Sequence, residues 1–273
     1  MNRTAATIII NALLIATALL TVIPLLWMIS ASFMPTGEAT IFPPRLLPSQ
    51  PTITHYRELF THMNFRRTFA NSMIVAVAIT LFSLLLNSMA GYAFAKLRFG
   101  GRDRLFGGLV AALVIPTQVG MLPLFLILKS VHLVNSYWGV ILPSMATIFG
   151  IFLIRQFMLS IPDDLLDAAR IDGAGEFRIY WSIVMPLARP VLVTLAIFTF
   201  MSSWNDFMWP LIVLTDNAKY TLPVAVANLV GEHVQDTELM MASSVLTVLP
   251  VLILFLALQR HYIAGIMMGS VKG

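Results

Sequence analysis

Apolar residues in this chain gather into long runs, separated by short polar stretches rather than interleaved with them. Crossing a bilayer core takes a helix of about 20 consecutive apolar residues. Six stretches approach that length, over 7–33, 69–95, 105–128, 137–157, 191–214 and 243–258. A helix satisfies its own backbone polar groups in lipid, so the pattern predicts an all-α polytopic membrane protein with six transmembrane helices. Pro116 and Pro123 interrupt the third run, where they can kink it.

The polar stretches set the orientation. KLRFGGRDR, after the second run, packs Lys96, Arg98, Arg102 and Arg104 into nine residues, which places it in the cytoplasm by the positive-inside rule. Counting spans outward from there puts both termini and the loop between spans 4 and 5 in the cytoplasm. Eleven Lys and Arg then lie inside and six outside. Residues 34–67 are proline-rich and polar, an extramembrane loop with one short helix over 54–62. Residues 215–242 form an outer segment with Asp216, Glu232, Asp236 and Glu238 against Lys219. The first run is longer than a signal-peptide core, which favours an uncleaved span over cleavage near 30–32. The expected organisation is one transmembrane domain over 1–273, with its core at 68–262.

One polar island stands out, 160–190, with five acidic and three basic residues among Leu, Ile, Phe and Trp. Pro162 suits the start of a helix and Asp163 and Asp164 suit its positive end, predicting a short helix to Ile171. Asp172-Gly173-Ala174-Gly175 then breaks it. On that helix Leu165, Ala168, Ala169 and Asp172 fall at spacings of three and four, a face with two small residues where another protein could come close. A second helix is expected to carry Phe177, Tyr180, Trp181 and Val184 on one stripe before Pro186 and Pro190.

Composition narrows the chemistry. With 58% hydrophobic and 11% charged residues and a mean hydropathy of +0.85, the 273-residue chain exceeds the apolar content of a soluble domain. Zero cysteines exclude disulfides and thiolate metal sites. No GxxxxGK[ST], GxSxG or HExxH pattern occurs, and His55, His62, His132, His233 and His261 fall in loops or at span ends. A non-catalytic chain that binds no cofactor or metal is expected. Within the fifth run, Asn205 and Asp206 sit between Trp204 and Trp209. An acid in an apolar span costs about 2.5–3.5 kcal/mol to insert, which marks a functional position. Aromatic faces can stack on a ligand and Asn or Asp can bond its polar groups, so these four are substrate-path candidates. Asp206 is also about 25 Å beyond Pro190 at 1.5 Å per residue, near the outer boundary where Trp serves as an interfacial anchor. Asn71, Asn87 and Gln118 suit bonds between helices as well as ligand contacts.

The order Asp167-Ala168-Ala169, Asp172-Gly173-Ala174, Pro186 and Pro190 resembles the EAA loop of ABC-importer permeases, with Asp167 in place of the usual Glu. GYAFAKLRF (91–99), WNDFMWPLIVLT (204–215), TLPV (221–224) and the closing GSVKG are similar to the carbohydrate-uptake branch, which includes the maltose transporter's second membrane subunit. Gly100 departs, standing where many relatives have proline. The resemblance implies a coupling helix in which Asp167, Ala168, Ala169, Asp172, Gly173, Ala174 and Pro186 meet a cytoplasmic ATPase. It implies a multi-pass protein of the bacterial inner membrane, paired with a different second permease subunit and served by two nucleotide-binding subunits that hold ATP and Mg. An extracytoplasmic sugar-binding protein would meet 221–241 and deliver a carbohydrate; no nucleic acid is involved. The alternative is an ion-coupled secondary transporter of a small polar solute, although one marginal intramembrane acid and no evident repeat support it weakly.

Overall fold

The computed structural model describes residues 3–61, 64–232 and 236–270, and among these every regular element is a helix. In chain order they are α1 (Arg3–Ala31), α2 (Thr54–Thr61), α3 (Phe65–Lys96), α4 (Arg102–Ala112), α5 (Met121–Ser130), α6 (Tyr137–Ser144) and α7 (Ile148–Met158). The island supplies α8 (Asp163–Ile171), α9 (Glu176–Ile179) and α10 (Met185–Leu187), with a π turn over Tyr180–Val184 between the last two. The chain then runs through α11 (Arg189–Trp204), α12 (Met208–Val213), α13 (Leu222–Glu232) and α14 (Thr237–Ser270).

Four segments are long and apolar enough to cross a membrane unbroken: Ile9–Ala31, Phe65–Lys96, Tyr137–Met158 and Thr237–Ala257. Two bent pairs raise the count to six if each is one span: Arg102–Ala112 with Thr117–Ser130, at 97°, and Glu176–Leu187 with Arg189–Trp204, at 78°. The predicted third run therefore bends, at the stretch that holds Pro116, which has no amide hydrogen to continue the helix. The predicted fifth run is not one helix either. It stops at Trp204, leaves Asn205–Phe207 irregular, and resumes as α12.

The chain divides into two compact units, 1–67 with 224–250 and 68–223 with 251–273. In the first, Ala31, Met34 and Ala39 are buried against Trp27 and Met241. The expected proline-rich loop is folded there by polar bonds. The Glu38 carboxylate accepts from Arg45 at 2.9 Å and from the Ser49 amide, and Trp27 Nε1 donates to Arg45 O. The short helix predicted over 54–62 is α2; His62 lies outside the described residues. Along α1, Leu13 and Leu20 are 62% and 69% exposed, an apolar surface suited to lipid.

In the second unit one cluster joins Tyr92 and Ala95 of α3, Ile154 and Met158 of α7, and Leu166, Ala169, Ile179, Tyr180 and Val184 of the island. A Cβ on Gly91 would stand 2.6 Å from Ile154 Cγ2, so glycine is what lets α3 and α7 touch. Polar groups tie helices as well. Asn87 donates to Ser83 Oγ at 2.6 Å and accepts from the Thr147 amide. Asn71 donates to the Ala218 and Tyr220 carbonyls and accepts from Tyr137. A second cluster gathers Val75, Ile79, Leu128, Val140, Trp209 and Val213.

Candidate functional site

The island folds as a helical hairpin with its own bracing. Pro162 stands at the N-cap position of α8, whose first turn holds Asp163 and Asp164. The helix ends where Gly173, at φ +81°, donates to Arg170 O while the Ala174 amide donates to Ala169 O. That pair of bonds is a Schellman stop, and its left-handed residue favours glycine. A Cβ there would meet nothing within 4 Å, so backbone conformation alone makes the demand.

Charge closes the hairpin. Arg170 donates to Asp167 at 2.6 Å on its own helix and to Glu176 at 2.7 Å across the turn. The other Glu176 oxygen accepts from Tyr92 at 2.6 Å, and Lys96 donates to Asp163 and to Ile161 O, both at 2.6 Å. The starts of both α8 and α9 are thus tied to the last turns of α3. The hydrogen bonds from Arg170 and then Tyr92 hold the Glu176 carboxyl below its usual range. The Lys96 ammonium does the same for Asp163.

The predicted faces are redrawn. Ala168 and Leu165 are exposed, but Ala169 is packed with Leu166 into the chain's own core, so the two alanines do not share an outward surface. Asp167, Asp172 and Gly173 are exposed and Ala174 is half-buried. The stripe expected in the second helix splits. Tyr180 and Val184 are buried with Ile179, whereas Phe177 (73%) and Trp181 (42%) face out. A π turn follows, where the Met185 amide donates to Tyr180 O. Pro186, which is exposed, cannot donate back along the ladder, and the wider turn shifts the register.

A cavity of about 760 Å³ opens in the same unit, walled in part by Gln118, Thr147, Thr199, Ser203, Asp206 and Trp209. Its size is that of a small-ligand site. Breaks in helices build it. Gln118 is in the 3₁₀ turn before α5, Thr147 caps α7, and Asp206 sits in the gap between α11 and α12. Asp206 accepts from the Trp209 amide at 3.4 Å, and Trp209 Nε1 donates to Gly139 O at 3.2 Å. Of the four substrate-path candidates, Asp206 and Trp209 reach the wall. Trp204 is buried on the far side of its helix against Phe69 and Phe200, and Asn205 is exposed and bonds back to Met201 O as the helix ends.

Residues 87–267 match the family described as binding-protein-dependent transport system inner membrane component. The chain belongs to this family of permeases. The arabinooligosaccharides transport system permease protein of Halalkalibacterium halodurans is 40% identical to it over 259 residues, spanning 94% of this chain and 93% of the relative. The trehalose transport system permease protein of Mycobacterium tuberculosis is 34% identical over 269 residues, spanning 97% and 96%. The diacetylchitobiose uptake system permease protein of Streptomyces coelicolor is 33% identical, spanning 96% and 88%. A chain in the crystal structure of a bacterial ABC transporter involved in alginate import shares the fold, with a TM-score of 0.85 at 24% identity over 96% of this chain and 99% of that one.

The permease is therefore a protein of the bacterial inner membrane, as its sequence indicated. Sequence reasoning missed four of the residues that shape the hairpin: Tyr92, Lys96, Arg170 and Glu176. A signal was present for two of them. Tyr92 and Lys96 are four residues apart, on one face at the end of a span. The Lys96 side chain is only 4% exposed, and a lysine so buried needs a partner.

Proposed function

We propose that this permease is the membrane-spanning subunit of an ATP-driven sugar importer. It forms the translocation path with a second, different permease subunit and couples through 160–190 to two cytoplasmic ATPase subunits. The hairpin carries the proposal. It is bonded to the chain's own α3 at the start of each of its first two helices, yet it leaves Leu165, Ala168, Ile171 and Phe177 exposed, the last two at 87% and 73%. Apolar groups left outside a braced polar hairpin suit a protein partner. With no GxxxxGK[ST] loop of its own, the chain would draw on ATP and Mg held by that partner.

Sugar as cargo rests on relatives whose names specify arabinooligosaccharides, diacetylchitobiose and trehalose. An extracytoplasmic binding protein would deliver it, as in the alginate transporter solved with a pentasaccharide-bound periplasmic protein. On this reading ATP-driven closure of the ATPase pair moves the hairpin as a rigid lever and turns the path from one face of the membrane to the other. The cavity beside Asp206 and Trp209 is the part of this chain offered to the sugar. Copurification from the native membrane tests the assembly. A P-loop ATPase, a second permease and a secreted binding protein are expected; recovery of the chain alone, active in uptake without ATP, would support ion-coupled transport instead.

A further inference from the structure

We propose that His55, Glu58 and Asp236 form a zinc site in the unit built from 1–67 and 224–250, independent of the transport reading above. His55 and Glu58 lie three residues apart on one face of α2. Asp236 precedes α14 and caps it, accepting from the Leu239 amide at 2.8 Å. One ligand atom from each of the three falls within 4.8 Å of the others.

The buried histidine supplies the independent observation. Its side chain is 2% exposed, and Nε2 lies 2.9 Å from the Met34 carbonyl. A carbonyl only accepts, so Nε2 carries the hydrogen. The buried Nδ1 has no hydrogen-bond partner and is aimed at the Asp236 carboxylate 3.6 Å away. That gap is too long for a hydrogen bond. If Nδ1 holds a lone pair, it faces an anion; if it holds a proton, a buried donor goes unused. A cation between them resolves both. Two ligands on one tetrahedral zinc stand about 3.4 Å apart at bond lengths near 2.0–2.1 Å, close to the distance observed. The bond from Nε2 to a backbone carbonyl is also the outer-shell contact that fixes a metal-binding imidazole.

One imidazole and two carboxylates suit zinc better than calcium or magnesium, which prefer oxygen throughout. Three protein ligands leave a fourth position for water. The ion would join α2 to the start of α14, segments far apart in sequence.

The test uses the purified full-length permease, stripped with chelator, re-equilibrated with zinc and counted by mass spectrometry and competition titration. Asp236→Asn keeps the helix cap and Glu58→Gln keeps the shape, so folding is preserved while a ligand charge is lost. One zinc per chain is expected in the wild type, at least tenfold weaker in either variant and in His55→Gln, with an absorption-edge spectrum showing one imidazole among oxygen ligands. The unfolding temperature of each metal-free variant serves as the folding control. No saturable zinc in the wild type, or equal zinc in all three variants, would overturn the proposal. A pH-dependent stability lost in Asp236→Asn without any zinc binding would also overturn it, in favour of a His55–Asp236 ion pair.

Discussion

The hairpin at 163–187 and the helix break at Asn205–Phe207 are both polar interruptions of an apolar chain, and they use their polarity in opposite ways. In the hairpin, Arg170 and Tyr92 are bonded to Glu176 and Lys96 to Asp163, so charge there maintains a shape. What remains outward is apolar: Ile171, Phe177 and Trp181. At the break the arrangement reverses. Asp206 makes a 3.4 Å contact with a backbone amide, and the hydroxyl and amide groups around it line open space. Bonded polarity with apolar groups outside suits a solid lever against a protein, whereas polarity facing a cavity suits a hydroxyl-rich ligand.

Substitutions can separate the two. The largest loss is expected from Gly173→Val, because a side chain at φ +81° costs about 1–2 kcal/mol and distorts the turn. Coupled uptake should fall at least tenfold while membrane levels and the sugar KM stay unchanged; normal uptake would show that the turn does not matter. Asp206→Asn should do the converse. The sugar KM should rise about tenfold, the scale of one charge-assisted hydrogen bond, with ATPase coupling intact. If instead it uncouples ATPase activity at unchanged KM, the division of labour is wrong.

A smaller effect is expected from Arg170→Ala, which removes a cation from Asp167 and Glu176. The pairs are partly exposed, so uptake should drop about twofold to fivefold, and a second substitution, Glu176→Gln, should add little to it in a double-mutant cycle. The smallest effect concerns acidity. Lys96 holds Asp163 below the usual carboxylate range, and Arg170 with Tyr92 does so for Glu176. A lowered folded-state value gives stability that is complete above the unfolded value and is lost only as pH falls through the folded one. Coupling measured in proteoliposomes should therefore be flat from about pH 8 to 5 and fail only near or below about 4; a midpoint near neutrality would contradict these pairs.

Local signals were legible in the sequence. Pro162 and the two following aspartates marked the start of α8, and Asp172-Gly173 marked its end. Long apolar runs marked the four unbroken candidate spans. What escaped was anything set by partners distant along the chain. The Tyr92–Glu176 bond joins residues 84 apart, and helical periodicity is blind to it. Ala169 and Ala168 are neighbours in sequence, yet one turns inward because Leu166 and the α7 core lie beneath it. The stripe through Phe177 and Trp181 failed because Ile179, Tyr180 and Val184 are the residues packed against α3 and α7. Asp206 was noticed as an acid in an apolar run, but its place beside Gln118 and Thr147 required three separate helix breaks to converge.

The central claim is that the hairpin's outer surface meets the ATPase from the cytoplasm, and a single-cysteine experiment tests it most directly. The native chain has no cysteine, so a single introduced thiol reports without background. In the assembled transporter Ala168→Cys should crosslink to the ATPase subunit and react with a membrane-impermeant reagent only from the cytoplasmic side, while Ala169→Cys, in the core, should do neither. Labelling of Ala168→Cys from the outer side, or equal crosslinking at both positions, would contradict the account.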